Sequence, residues 1–178
     1  MDEIKIAKER IAILIGKKGE IKRRIARLTN TKIKVDSKEG DVIITGEDGL
    51  GVYTAKQIVQ AIARGFNPDK ALSLLDDESI FEIINIGDYA RNTRNDLKRI
   101  KARVIGREGK AKEMIEYLTN VDLSIYGKTI AMIGKVEDVD IARHALNNLL
   151  AGSRHGKVYA YLQRQRKLKK AGAEWQKT

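Results

Sequence analysis

Cysteine is absent from this 178-residue chain, so disulfides and thiolate metal sites are excluded. Histidine is nearly absent: His144 and His155 have no companions at metal-ligand spacing, and packing or surface roles suit them better. No apolar run approaches a membrane span, and Met1-Asp2-Glu3-Ile4-Lys5 lacks the apolar centre of a signal peptide. The expectation is a cytoplasmic chain without membrane contact. Catalytic sets are missing too. Asp76-Asp77-Glu78 reads as linker charge rather than a paired acid and base, and Gly106-x-x-Gly109-Lys110-Ala111 lacks the spacing of a nucleotide-triphosphate loop. Gly46, Gly49 and Gly51 follow a hairpin, not the strand of a parallel crossover unit. Neither an enzyme nor a cofactor is expected.

Positive charge, by contrast, is plentiful. The chain is 42% hydrophobic and 33% charged, which suits a folded domain, with a net charge of +11. That excess points to a polyanionic partner, most simply nucleic acid. It is unevenly spread: residues 1–78 hold 15 Lys/Arg against 13 Asp/Glu, and residues 79–178 hold 20 against 11.

The strongest signal is a repeat. Ile15-Gly16-Lys17-Lys18-Gly19 returns ninety residues later as Ile105-Gly106-Arg107-Glu108-Gly109. Leu14 answers to Val104, Ile25 to Ile115, Leu28-Thr29-Asn30 to Leu118-Thr119-Asn120, and Ile33 and Val35 to Leu123 and Ile125. Glycines let backbone approach a ligand closely, and a following helix offers unpaired N–H groups to an anion. Lys17, Lys18, Arg107 and Lys110 add full charges, so each turn reads as a phosphate seat.

Periodicity predicts a strand over 3–6, a helix over 8–15, a helix after Gly19 that Asn30 stops, and a hairpin of strands 32–36 and 42–45. A loop over 46–51 and an amphipathic helix ending near Gly65 complete the first copy. Pro68, the single proline, opens a connecting helix. The second copy is read as a strand over 79–86, an Arg-rich helix over 88–104, a helix over 110–119, strands 121–126 and 129–133, and a helix over 139–151. A basic helical tail follows, with Tyr159, Tyr161, Leu162 and Leu168 able to pack and Trp175 beyond. The expected division is 1–66 first domain, 67–78 connecting helix, 79–156 second domain and 157–178 tail. The fold class is α+β: two tandem β-α-α-β-β-α units, each a three-stranded antiparallel sheet with helices on one face.

With these motifs in place, the sequence resembles the K-homology (KH) family of RNA-binding domains, type I, over residues 3–65 and 80–152. It departs at Lys22 and Lys112, where many family members carry an aliphatic residue; Ile21 and Ala111 stand one position earlier. Gly65-Phe66-Asn67-Pro68 leading to Ala71-Leu72-Leu74-Leu75-Asp76, and Arg94-Asn95-Asp96-Leu97-Lys98-Arg99 leading to Arg103-Val104-Ile105-Gly106, resemble the archaeal partner-of-Nob (Dim) small-subunit assembly factors. That resemblance implies binding to the 3′ end of small-subunit ribosomal RNA. It also implies work beside the Nob endonuclease and a link to the alpha subunit of translation initiation factor two. The alternatives are a KH adaptor in RNA degradation or translation, and a protein-interaction module with one RNA-competent domain.

The resemblance implies RNA contacts from Ile15, Gly16, Lys17, Lys18, Gly19, Lys22 and Ile33 in the first copy. In the second it implies Arg103, Ile105, Gly106, Arg107, Glu108, Gly109, Lys110, Lys112 and Leu123. Bases are expected in a groove built from Ile15, Ile25, Ile33 and Val35, and from Ile105, Ile115, Leu123 and Ile125; plain core is the alternative for each. Glu108 should repel phosphate. The run from Arg91 to Arg103 and the run from Arg164 to Lys170 are either solvated faces or contacts to RNA or a protein.

Overall fold

The computed structural model describes residues 2–90 and 93–175, and side chains as far as Gly172. Arg91 and the Trp175 side chain therefore lie outside the described residues. The chain forms two compact units, 1–81 and 82–178.

In the first unit, β1 (Asp2–Lys5), α1 (Lys8–Ile15), α2 (Glu20–Leu28), β2 (Lys32–Val35), β3 (Asp41–Thr45) and α3 (Gly49–Ala63) follow in order. The sheet runs β1-β3-β2, antiparallel throughout, with Ile4 opposite Val42 and Ile33 opposite Ile44. Alternation sends Val42 and Ile44 inward, where they meet Leu14, Ile25, Ile58 and Ile62, all fully buried. The first strand stops at Lys5, one residue short of expectation. Ile6 leaves the ladder, is buried, and donates its N–H to the Gly40 carbonyl at 2.8 Å.

The expected 46–51 loop is shorter than the sequence suggests, because α3 already begins at Gly49. Asp48 accepts from the Leu50 and Gly51 N–H groups, and this cap outweighs the low helix propensity of two glycines. The connecting segment is a short helix, α4 (Pro68–Ala71), capped by Asn67, and then a tighter turn over Leu72–Leu75. Ala71, Leu72 and Leu74 are buried, and the segment packs on α3.

The order then repeats with β4 (Ser79–Asn85), which starts before the division at residue 82, α5 (Arg94–Ile105), α6 (Lys110–Thr119), β5 (Asp122–Tyr126), β6 (Thr129–Lys135) and α7 (Val136–Leu150) in the second unit. Its sheet runs β4-β6-β5, and Ile130, Ala131, Met132 and Ile133 are all buried. The Arg-rich helix expected from residue 88 starts at Arg94 instead. Thr93 accepts from the Asp96 N–H as its cap, while Ile86–Tyr89 forms a separate turn held by the Asn85 side chain. The helix expected from residue 139, α7, starts at Val136, so Glu137 and Asp138 lie in its first turn, where negative charge is favoured. Asn30 (φ 51°) and Asn120 (φ 58°) both adopt the left-handed conformation expected of a helix stop.

The tail is one helix, α8 (His155–Trp175), and it packs on α6 and α7. Val158 and Leu162 are buried, and the His144 and Tyr161 rings lie 4.9 Å apart. Leu168 is exposed, contrary to a packing role. No described helix is long and apolar enough to cross a membrane.

Candidate nucleic-acid interface

The two loops have one backbone. Gly16 sits at φ 70°, ψ −179° and Gly106 at φ 75°, ψ 175°, a region only glycine occupies comfortably. Lys18 (φ 52°) and Glu108 (φ 53°) are left-handed, as are Gly19 (φ 78°) and Gly109 (φ 79°). A Cβ on Gly16 would lie 2.4 Å from Ile21 Cγ1, and one on Gly106 would lie 2.5 Å from the Ala111 Cβ. Ile21 and Ala111 thus pack against the first glycine of each loop. A Cβ on Gly19 or Gly109 would meet nothing within 4 Å, so the second glycine faces open space. α2 and α6 begin directly after it with no side-chain cap; the Glu20 and Lys110 N–H groups donate to the Lys17 and Arg107 carbonyls, and the positive end of each helix dipole faces the loop.

Lys17 and Lys18 are exposed on the first loop, and Arg23 Nη2 donates to the Lys18 carbonyl at 2.8 Å, steadying the left-handed residue. Lys22 is half-buried. Glu20, Arg23, Arg24 and Arg27 line a shallow surface hollow beside the loop. On the second loop Arg107 and Lys110 are exposed, and Lys110 Nζ lies 3.1 Å from Glu108. The expected repulsion from Glu108 is thereby offset within the loop. Lys112 is half-buried and pairs with Glu116 at 3.1 Å.

The groove aliphatics divide. Ile25 and Ile115 are fully buried, and Ile33 and Leu123 nearly so, which makes all four core side chains. The accessible apolar surface beside each loop comes from half-buried Ile15 and Val35 in the first unit, and from Ile105 and half-buried Ile125 in the second.

Arg103 is not gathered with the loop residues. Its Nη2 donates to the Ser153 carbonyl at 2.7 Å, and His155 Nε2 lies 2.8 Å from the Arg103 carbonyl, so it fastens the turn that leads into α8. Lys169 likewise pairs with the buried Asp138 at 2.6 Å, and Arg166 lies over the Tyr117 ring, 4.1 Å from its centroid. Part of the tail's positive charge thus docks the tail to its own unit, while Arg164, Lys167 and Lys170 remain exposed. Sequence reasoning missed Glu116, whose Oε1 accepts the Leu123 N–H at 2.8 Å. By spacing it is only an i,i+4 partner for Lys112. Among the described residues no group of three His, Cys, Asp or Glu side chains is placed to hold a metal.

A family model described as "Eukaryotic type KH-domain (KH-domain type I)" matches residues 80–167, and one described as "KH domain" matches residues 1–61. A KH domain-containing protein of Methanocaldococcus jannaschii is 46% identical over 180 residues, covering 98% of this chain and 78% of that protein. The pre-rRNA-processing protein pno1 of Aspergillus fumigatus is 30% identical over 146 residues, 81% of this chain; the chain spans about half of that relative, 53% of its length. Among solved structures, a chain of the a/eIF2alpha-aDim2p-rRNA complex from Pyrococcus horikoshii matches with a TM-score of 0.87 and 45% identity, covering 93% of each chain.

Proposed function

This chain belongs to the KH-domain family, and we propose that it binds single-stranded RNA through both two-glycine loops, each clamping the backbone of about four nucleotides. The observation that carries this reading is the recurrence of one strained loop geometry, ninety residues apart, with a helix N-terminus opening directly behind it. Strain of this kind persists only where the surroundings enforce it, and here it sets a helix N-terminus and exposed basic side chains beside a glycine that faces open space.

The RNA is the 3′ end of small-subunit ribosomal RNA, and the role is in pre-rRNA processing. The rRNA-containing complex named for the similar Pyrococcus chain and the pre-rRNA-processing relative support this. The same complex name supports the alpha subunit of translation initiation factor two as a partner. The Nob endonuclease, the enzyme that trims this end, is a further proposed partner, resting on the partner-of-Nob resemblance alone. The chain itself acts as a binding module.

Fluorescence anisotropy with a short RNA copying the ribosomal 3′ end, against a scrambled RNA of equal length, tests this at two salt concentrations. Preference for the ribosomal sequence that survives high salt is expected. Equal binding that collapses with salt would reduce the interaction to general phosphate attraction.

A further inference from the structure

Glu116 reaches from α6 to the free edge of β5, where its Oε1 accepts the Leu123 N–H at 2.8 Å. The same oxygen is held by Lys112 Nζ at 3.1 Å, and Oε2 has no partner among the described residues. The side chain is 25% exposed, so its outer oxygen is within reach of a ligand on that edge. The matching residues of the first unit are Ala26 and Ile33, and alanine has no group that can do this. On β2 the Asp36 N–H donates to the Asp41 carbonyl at 2.8 Å, so alternation turns 34 and 32 toward β3 and Ile33 toward the open edge. An uncapped edge residue offers an N–H donor and a C=O acceptor side by side. That pair complements the Watson–Crick edge of adenine or cytosine, each of which sets a ring-nitrogen acceptor beside an amino donor.

We propose that Glu116 determines the base preference of the second unit, selecting guanine at the β5 edge. By occupying the Leu123 N–H it replaces the donor with a carboxylate, so the edge presents two acceptors in place of a donor and an acceptor. Guanine answers with two adjacent donors, N1–H and the N2 amino group. Lys112 holds the carboxylate in place and offsets its charge, which lets it remain beside a phosphate-bearing strand. The first unit, with Ala26, keeps the preference for adenine or cytosine. This inference rests on the RNA-binding reading above.

The test is an amide-resonance titration of the full ¹⁵N-labelled chain with short oligouridines carrying one guanine, adenine or cytosine. Leu123 and Ile33 report their own units. Leu123 is expected to saturate first with the guanine RNA, and Glu116→Ala to weaken that preference by about tenfold in favour of adenine or cytosine, the scale of one lost bidentate base contact. Glu116→Gln keeps an acceptor for Leu123, so the fold is retained, but turns the second oxygen into a donor; it too is expected to lose the guanine preference. Ala26→Glu should move Ile33 toward guanine. An unchanged ranking of bases in Glu116→Ala, with RNA still bound, overturns the assignment and leaves RNA binding standing. Silence of both amides toward every RNA overturns the RNA-binding reading itself and this inference with it.

Discussion

Lys18 and Glu108 occupy the same left-handed backbone well in the two loops, at φ 52° and 53°, with opposite charges. Holding a residue with a side chain there costs about 1–2 kcal/mol, so the conformation is retained for the loop's shape and not for the side chain. Charge can therefore be changed at this position without changing the geometry.

Glu108→Lys is expected to tighten RNA binding several-fold at low salt and to steepen the salt dependence, since one more cation faces the phosphates. The ion pair it removes is about three-quarters exposed at both ends, 73% and 72%, and contributes little to the fold. Anisotropy titrations at low and high salt check this. An unchanged affinity would mean that Glu108 points away from the bound strand.

The two glycines of one loop should behave differently. Gly106→Ala forces a Cβ to 2.5 Å from the Ala111 Cβ and 2.7 Å from its backbone nitrogen, at a φ of +75°. A loss of about 3 kcal/mol is expected from clash and strain together. Gly109→Ala meets open space and carries only the left-handed penalty, about 1 kcal/mol. Urea denaturation of the two variants measures the difference, and equal losses would contradict this account. Gly109→Asp is correspondingly the cleaner variant for abolishing phosphate contact in a chain that still folds.

Leu162 anchors α8. It is fully buried, and Leu162→Ala should cost about 3 kcal/mol. Lys169→Ala should cost less, about 1–2 kcal/mol: Asp138 is buried and loses its partner, but the lysine side chain is 42% exposed and water screens the loss. Thermal melts of both variants test whether the tail belongs to the folded unit. A loose basic tail would leave the melting temperature unchanged in each.

The repeat made most of the fold legible, because glycines, helix stops and apolar spacing are local signals. The helix over 110–119 and the Asn30 and Asn120 stops follow directly from residue type. At two of the boundaries that missed, a capping side chain had decided the matter. Asp48 drew Gly49–Gly51 into α3, and Thr93 delayed α5 to Arg94. The site was half legible. Glycines and cations are visible in sequence, but whether Arg103 faces RNA or Ser153 depends on a contact fifty residues away. Glu116 hid for the same reason, since its partner is a backbone group on the following strand.

Asp36 ties the fold to pH at the hairpin that carries the β2 edge. Its carboxylate accepts from the Lys38 N–H at 2.8 Å and the Glu39 N–H at 3.2 Å, and these bonds hold it below the usual carboxylate range. A group with a lowered folded pKa stabilises the fold above its unfolded value, about 3.9, and that contribution is lost as pH falls through the folded pKa. Asp36→Asn keeps an oxygen acceptor but cannot titrate. The variant should be slightly less stable than the parent at neutral pH and should lose less of its stability on acidification. Melting temperatures of both proteins from neutral pH to about pH 3 test this, since that range crosses the unfolded value. Parallel curves would mean that the turn is held by its backbone, Gly40 N–H to the Asp36 carbonyl at 2.9 Å, with no help from the charge.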